Sequence, residues 1–202
     1  MQSSPPRPAY AATLRAYLNR HLGGELTEQD PLPFPTQVRQ LARGEVVTRF
    51  GQVERHAYFL NRGLLQICLL REGEEKIADF FFPGDFFCAY SSFLTQQPAD
   101  VQLTALAPCT VEVLRYQDLA AAYQTSLLAN QLGRFVTEQL YLRKVRREKD
   151  FLGRSAEERY ADLFRQQPEF VRYLPVGKLA RYLGIHPNSL SRIRRRTGLG
   201  AA

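Results

Sequence analysis

The chain has 202 residues, of which 45% are hydrophobic and 23% are charged. This composition is typical of a globular protein and excludes a disordered or fibrous chain. No apolar stretch approaches the ~20 residues needed to span a bilayer, and the N-terminal sequence lacks an apolar secretory core. We therefore expect a cytoplasmic protein with no membrane partner. The three cysteines are too widely spaced for a disulfide framework or a paired-cysteine metal site, so no metal is expected.

The charge is divided unevenly along the chain. The formal net charge is +7, but residues 1–142 carry a net of −2 and residues 143–202 a net of +9. A compact basic segment after a nearly neutral one is typical of proteins that bind polyanions, because each neutralised phosphate releases condensed counterions. A solvated basic face would give the same charge, so the interpretation needs a matching structural motif.

The first predicted element is a helix over residues 9–22, where apolar side chains share one helical stripe and Gly23 ends it. From residue 38 to residue 114 the pattern changes to short apolar segments separated by turn residues. Residues 64–70 and 76–82 are candidate strands. This alternation of strands and turns favours an antiparallel jelly roll.

A short helix over residues 117–123 and a long helix over residues 127–149 are predicted next. Side chains along the long helix recur in steps of four and three, the spacing of a helix that packs lengthwise against another. Two interpretations stay open: the helix packs on its own jelly roll, or it forms the seam of a parallel homodimer. The candidate dimer seam consists of Leu128, Leu132, Phe135, Gln139 and Leu142.

A second domain is predicted to begin after a hinge at residues 151–153. Ser155 and Glu158 form a capping-box pattern, in which both side chains satisfy free backbone N–H groups at a helix start. This helix should end before Pro168, because proline disfavours helical geometry in the residue before it. The predicted domains are a jelly-roll sensor domain with an N-terminal helix at 1–126, a dimerisation helix and hinge at 127–152, and a helical domain at 153–202.

Residues 175–196 have the spacing of a helix-turn-helix, with Gly184 at the turn. His186 and Pro187 suit the start of its second helix. The exposed face of that helix is polar and basic. Asparagine can pair with adenine and arginine with guanine in the major groove, while serine and further arginines suit phosphates. The candidate DNA-binding residues are Lys178, His186, Asn188, Ser189, Arg192, Arg195 and Arg196.

Four short motifs occur along the chain in a specific order: Arg43-Gly44-Glu45, Asn61-Arg62-Gly63, Phe82-Pro83-Gly84-Asp85 and Leu190-Ser191-Arg192. In this order they resemble the CRP/FNR superfamily of bacterial transcription regulators. The resemblance implies an α+β fold: a cyclic-nucleotide-binding-like jelly roll, a long dimerisation helix and a C-terminal helix-turn-helix domain. It also implies that Arg192 contacts a base. Pro187 and Asn188 stand where members usually carry arginine and glutamate, so the family's usual operator is not expected.

The pocket region departs from the members that bind cyclic AMP. The resemblance places Ala89 and Ala99 where those members have a glutamate for the ribose and an arginine for the phosphate. A buried phosphate without its charge partner is costly, so neither cyclic AMP nor cyclic GMP is expected as an effector. No cysteine precedes Cys68, so the iron–sulfur centre of oxygen-sensing members is not expected either, and no cofactor is assigned. The candidate effector pocket, holding another ligand or filled by its own side chains, comprises Cys88, Ala89, Tyr90, Ser91, Ser92, Ala99 and Asp100.

The region after the recognition helix, which is the second helix of the predicted helix-turn-helix, also departs from the family. Only residues 197–202 follow that helix, too few for the β-hairpin wing that is common in the family. We therefore expect a helix-turn-helix domain that lacks a full wing. The run Arg194-Arg195-Arg196 is the candidate replacement for the wing's phosphate contacts.

Two other functional classes are alternatives. A cupin-type metalloenzyme shares the strand pattern but needs clustered histidines, and only His56 lies in the strand region. A jelly-roll adaptor that binds a small molecule or a protein would use the basic segment for non-specific nucleic-acid contact. We expect a non-enzymatic transcription regulator that binds a pseudopalindromic operator as a homodimer. Its expected partners are double-stranded DNA, a second copy of the chain, RNA polymerase and an unidentified small-molecule effector.

Overall fold

The computed structural model describes residues 13–23, 26–27, 29–168, 171 and 174–199. The first four residues of the helix predicted over residues 9–22 lie outside these ranges. The described residues divide into two compact units, 13–138 and 139–199, and the boundary between them falls inside one long helix. In the described part of the chain, every strand belongs to the first unit.

Within the described residues, eight antiparallel strands form the body of the first unit. They are β1 (Gln37–Leu41), β2 (Val46–Thr48), β3 (His56–Arg62), β4 (Leu65–Arg71), β5 (Glu74–Phe81), β6 (Phe86–Phe87), β7 (Val101–Ala105) and β8 (Cys109–Arg115). One sheet has the order β1-β8-β3-β6 and the other the order β2-β7-β4-β5. The predicted antiparallel jelly roll is confirmed, and the two candidate strands correspond to β4 and β5.

The jelly-roll core forms because alternate side chains of the strands point inward. On β8, Cys109 and Val111 are buried while Thr110 between them is half-exposed. Gly63, in the turn between β3 and β4, has a φ of +109°, and a Cβ atom there would lie 2.7 Å from the carbonyl oxygen of Pro108. A side chain at this position would therefore force the β3–β4 turn away from β8.

The sheets are accompanied, where the structure describes the chain, by helices α1 (Leu14–Leu22), α2 (Tyr90–Thr95) and α3 (Tyr116–Thr125). Helix α1 begins where the Thr13 hydroxyl accepts a hydrogen bond from the Ala16 N–H at 3.1 Å and Glu112 of β8 accepts one from the Leu14 N–H at 2.9 Å. These bonds satisfy backbone donors that have no partner within the helix. Helix α2, for which no helix was predicted, lies inside the candidate effector region.

Helix α4 (Leu127–Gly153) is the long helix, and its first turns pack on the first unit. Ala129 and Leu132 are buried in the same apolar cluster as Leu14 of α1. Leu132, which was predicted for the dimer seam, is 3% exposed and is covered by the chain's own core. The helix also continues to Gly153, so the break predicted at residues 151–153 falls at 154–155 instead.

In the described part of the second unit, the C-terminal half of α4 is followed by α5 (Ala156–Gln166), α6 (Val176–Leu183) and α7 (Pro187–Thr197). Helix α5 starts with the predicted capping box, in which Ser155 Oγ accepts from the Glu158 N–H and the Glu158 side chain accepts from the Ser155 N–H. Tyr160 is fully buried and donates to the Leu199 carbonyl at 2.8 Å, which ties the residues after α7 to α5. Among the described helices, none has both the length and the apolar character needed to cross a membrane.

Candidate functional site

Helices α6 and α7 form a helix-turn-helix around Gly184. This residue has a φ of +70°, and the backbone closes tightly because the Ile185 N–H donates to the Ala180 carbonyl at 3.0 Å. Glycine adopts this left-handed conformation without steric cost. The two helices pack through buried apolar side chains: Leu179, Ala180, Leu183, Leu190 and Ile193.

The start of α7 is organised by His186 and Pro187. His186 is the N-cap, and its Nδ1 accepts from the Asn188 N–H at 3.3 Å. Pro187 occupies the first turn, where the missing N–H costs nothing. Because this helix start is capped locally, the side chains of the first turns of α7 are presented in fixed positions.

The predicted DNA-binding residues of α7 lie together on one face. Asn188, Arg192, Arg195 and Arg196 are exposed, Ser189 is half-buried, and the Arg192 guanidinium donates to Ser189 Oγ at 3.4 Å. His186 is exposed at the cap, and Lys178 is half-buried on α6. An exposed row of amide, hydroxyl and guanidinium donors matches the hydrogen-bonding groups of base edges and phosphates.

The three consecutive arginines at the end of α7 have different surroundings. Arg194 donates to the Val171 carbonyl at 3.1 Å, with its guanidinium 6.0 Å from the centre of the Tyr160 ring. Among the three arginines that were candidates for the wing's phosphate contacts, Arg194 is bonded within the second unit itself. Arg196 forms an ion pair with Glu157 of α5, while Arg195 is exposed.

The predicted effector pocket is divided between core and surface. Ala89 and Ala99, at 1% and 5% exposure, belong to the jelly-roll core together with Tyr58 and Phe87. Cys88 packs against the same core, and burial followed by the nearby Glu54 raises the pKa of its thiol. At the surface, Ser91 and Asp100 are exposed and Tyr90 is half-buried. The tyrosine hydroxyl lies 3.0 Å from Thr137 Oγ1 of α4.

Glu54 is a buried polar residue that the sequence analysis missed. Its side chain is 1% exposed and accepts hydrogen bonds from the Thr48 hydroxyl and from the His56 N–H at 3.0 Å. The Ala89 N–H lies 3.5 Å from its Oε2 atom, at the start of α2. Its burial depends on α2, whose Ala89 and Ser92 are 35 and 38 positions away along the chain, so the local sequence does not reveal it.

Ser92 of α2 joins the effector region to the Glu54 segment. Its hydroxyl accepts from the Glu54 N–H at 2.9 Å and donates to the Gln97 carbonyl. The Gln96 side chain adds a bond to the Glu54 carbonyl at 3.2 Å. Hydrogen bonds thus join the segment from α2 to Ala99 to the backbone of Glu54. The Ser92 hydroxyl uses both its donor and an acceptor position in backbone hydrogen bonds.

The remaining seam candidates differ in how much of each is covered. Phe135 is half-buried, stacked on His21 at 5.2 Å between ring centres and beside Tyr17. Leu128 is half-buried, Gln139 is exposed and Leu142 is 54% exposed. Leu142 is followed along α4 by another exposed leucine, Leu152, at 83%.

Several comparisons relate this fold to known proteins. Residues 38–126 match the cyclic nucleotide-binding domain family, and the sequence has no significant match among curated proteins. FixK2 from Bradyrhizobium japonicum is 18% identical with a TM-score of 0.68, over 81% of this chain and 85% of that one. The c-di-GMP-responsive global regulator CLP from Xanthomonas campestris is 18% identical with a TM-score of 0.60, over 81% and 86%.

A protein from Eubacterium rectale assigned to the crp/fnr family is 14% identical with a TM-score of 0.65, over 81% of this chain and 78% of that one. These similarities extend beyond the jelly roll, because they cover far more of the chain than residues 38–126. Residues 38–126 are therefore similar to the cyclic nucleotide-binding domain family, and the 81% of the chain that these solved structures cover has their fold.

Proposed function

We propose that the protein is a non-enzymatic DNA-binding transcription regulator that binds a pseudopalindromic operator as a homodimer. The observation that carries this proposal is the division of α7 into two faces. Leu190 and Ile193 are buried against α6, while Asn188 and Arg192 are exposed on the other side. A polar, donor-rich face on a helix supported from behind is what major-groove reading requires.

The charge of the chain supports the same proposal. Residues 143–202 carry a net charge of +9, and this segment contains both helices of the helix-turn-helix. Lys178, Arg195 and Arg196 are the candidate phosphate contacts, with Arg196 exchanging its Glu157 partner for a phosphate. Such contacts would hold the protein on any duplex, while Asn188, Ser189 and Arg192 select the sequence.

A homodimer would place two recognition helices on one duplex. We assign the seam to α4, with Leu128, Phe135, Gln139 and Leu142 retained from the predicted set and exposed Leu152 added. Two recognition helices would then read half-sites whose centres lie about one helical turn, ~34 Å, apart. In this proposal residues 127–152 are the dimerisation helix, residues 153–202 the DNA-binding domain and residues 1–126 the sensor domain. RNA polymerase is the proposed downstream partner.

Selection of bound duplexes from a random pool tests the proposal. We expect an enriched pseudopalindrome, protected as two half-sites in a footprint. The variant Asn188→Ala/Arg192→Ala should lose the enrichment, whereas Arg165→Ala, an exposed arginine of α5, should keep it. Binding without any enriched sequence would favour the adaptor alternative instead.

A further inference from the structure

The end of α6 is held by two arginines from neighbouring helices. Arg147 of α4 donates to the Tyr182 carbonyl at 3.2 Å, and Arg159 of α5 donates to the Leu183 carbonyl at 2.9 Å. Carbonyls in the last turn of a helix lack partners within the helix. The two guanidinium groups therefore supply partners for the end of the helix that precedes the recognition helix.

Phe151 of α4 lies between these two arginines. The Arg147 guanidinium carbon is 4.8 Å from the centre of its ring and that of Arg159 is 4.5 Å away. Arg147 also lies 4.1 Å from the centre of the Tyr182 ring. A Cβ atom at Gly184 would lie 3.0 Å from Phe151 Cε1, so the ring also contacts the helix-turn-helix turn. Guanidinium groups at these distances are attracted to ring faces.

The same stretch of α4 carries the proposed dimer seam on its other side. Arg147 and Phe151 are one turn apart, whereas Leu142 and Leu152 lie on the roughly opposite side of a helix that turns about 100° per residue. Leu142 and Leu152 are 54% and 83% exposed. One side of this helix is therefore open to a second copy while the other holds α6.

We propose that Arg147, Phe151 and Arg159, named here the α6 clamp, are positioning residues that set the half-site spacing the dimer recognises. This inference rests on the proposed function. The clamp fixes each helix-turn-helix to the helix that forms the seam, so it fixes the distance between the two recognition helices. A dimer with a loosened clamp would accept several spacings.

Direct phosphate binding by the clamp arginines is the competing interpretation. Both side chains are half-buried and donate to carbonyls of the chain itself. Arg159 makes further bonds to the Arg154 and Asp150 carbonyls at 2.6 and 3.4 Å. A guanidinium group engaged in this way has few donors left for DNA.

The test uses the full chain and a set of duplexes in which two selected half-sites are separated by different numbers of base pairs. The variants are Arg147→Met and Arg159→Met, which keep most of the side-chain stem and remove the guanidinium. Arg146→Met, at the exposed neighbouring position of α4, is the matched control for loss of charge. Affinity is measured across a salt series for every spacing and for a single half-site.

We expect the wild-type chain and Arg146→Met to prefer one spacing by about tenfold or more, within the range of specificity in such complexes. The clamp variants should prefer that spacing by less than about threefold. Their affinity for a single half-site and the salt slope, meaning the slope of log affinity against log salt concentration, should be unchanged. If the clamp variants keep the wild-type spacing preference, the proposed role of the clamp is overturned. If a variant's salt slope is lower by about one, its arginine contacts a phosphate instead.

One further variant, together with the behaviour of the wild-type protein, separates the outcomes. Arg147→Lys keeps the charge but not the planar guanidinium, so it should lose the spacing preference to the same extent as Arg147→Met. This pair of Arg147 variants still tests the clamp if Arg159→Met fails to fold. If wild-type protein selects no half-site at all, the proposed function fails. If wild-type protein selects an operator and the folded Arg147 variants match it at every spacing, only the clamp fails.

Discussion

Arg192 and Arg195 are both exposed on α7, but they lie at different distances from its capped start. In the proposed function Arg192, next to Ser189, reads a base and Arg195, in the last turn, contacts a phosphate. We expect Arg192→Ala to lose roughly 1–3 kcal/mol on the operator and to relax base preference. Arg195→Ala should weaken binding to all duplexes alike and reduce the salt slope by about one. Titration of operator and random duplex at several salt concentrations measures both effects, and equal losses of Arg192→Ala on both duplexes would contradict base reading.

Glu54 stabilises the loop between β2 and β3 and its contact with α2. Glu54→Ala would remove the acceptor of the Thr48 hydroxyl and the His56 N–H inside the protein. We expect a loss of roughly 2–4 kcal/mol in the free energy of unfolding, because buried donors would lose their partners. Urea denaturation measures this loss, and Glu75→Ala on exposed β5 should stay within about 0.5 kcal/mol of wild type. A Glu54→Ala chain as stable as the control would show that water replaces the carboxyl group.

Cyclic nucleotides are expected to leave DNA affinity unchanged. Ala89 and Ala99 are core residues without polar side chains, and the Ser92 hydroxyl is engaged with backbone groups. A ligand shifts an equilibrium only if it binds one state more tightly than the other. Calorimetric titration of cyclic AMP and cyclic GMP, with operator affinity measured in parallel, checks this point. Saturable heat together with tighter operator binding would contradict it.

At the scale of single elements, the start of α5 should make stability depend on pH. The Ser155 N–H and then the Ser155 hydroxyl hold the pKa of Glu158 below the ordinary value of a glutamate. A lowered pKa in the folded state contributes stability above about pH 4.5 that is lost as the pH falls through the folded pKa. The melting temperature of Glu158→Gln should therefore fall further below wild type at pH 7 than at pH 3. In a Ser155→Ala background, the effect of Glu158→Gln on the melting temperature should differ less between pH 7 and pH 3. If the effect of Glu158→Gln in the wild-type background is the same at both pH values, the carboxylate of Glu158 does not contribute to stability through this pKa shift.

The elements that depend on local sequence could be predicted, and those that depend on distant contacts could not. The capping box at Ser155 and the turn at Gly184 involve residues only a few positions apart, so spacing alone reveals them. The surroundings of Glu54 come from Thr48, His56 and Ala89, of which Ala89 is 35 positions away. Arg194 likewise bonds to a carbonyl 23 positions earlier, which periodicity on α7 does not indicate.

The long helix shows the same limit. The step pattern that includes Leu132 and Phe135 is real, but it does not say which neighbour covers each side chain. Leu132 joins the cluster that contains Leu14 and Ala129, and Phe135 is stacked on His21. Periodicity therefore predicted a packed face and could not separate packing on the chain's own core from packing on a second copy.

At the scale of the whole molecule, two leucines of α4 separate assembly from folding. Leu142→Asp changes an exposed residue of the proposed seam, so we expect a folded monomer with weaker operator binding. Leu132→Asp buries a charge in the core at 3% exposure and should unfold the first unit. Light scattering with circular dichroism distinguishes the two results. A Leu142→Asp dimer of unchanged mass would remove this residue from the seam.

The two-faced construction of α7 also bears on how such a protein changes over generations. Leu190, Ile193 and Arg194 hold the helix in place, while Asn188, Ser189 and Arg192 are largely free of contacts that the fold requires. Surface substitutions away from structural contacts alter stability by less than about 0.5 kcal/mol. Mutations at the second set of positions can therefore accumulate without loss of the folded protein. In the proposed function, descendants of one chain can in this way acquire new target sequences through a few substitutions. A randomised library at Asn188, Ser189 and Arg192 should contain mostly folded members.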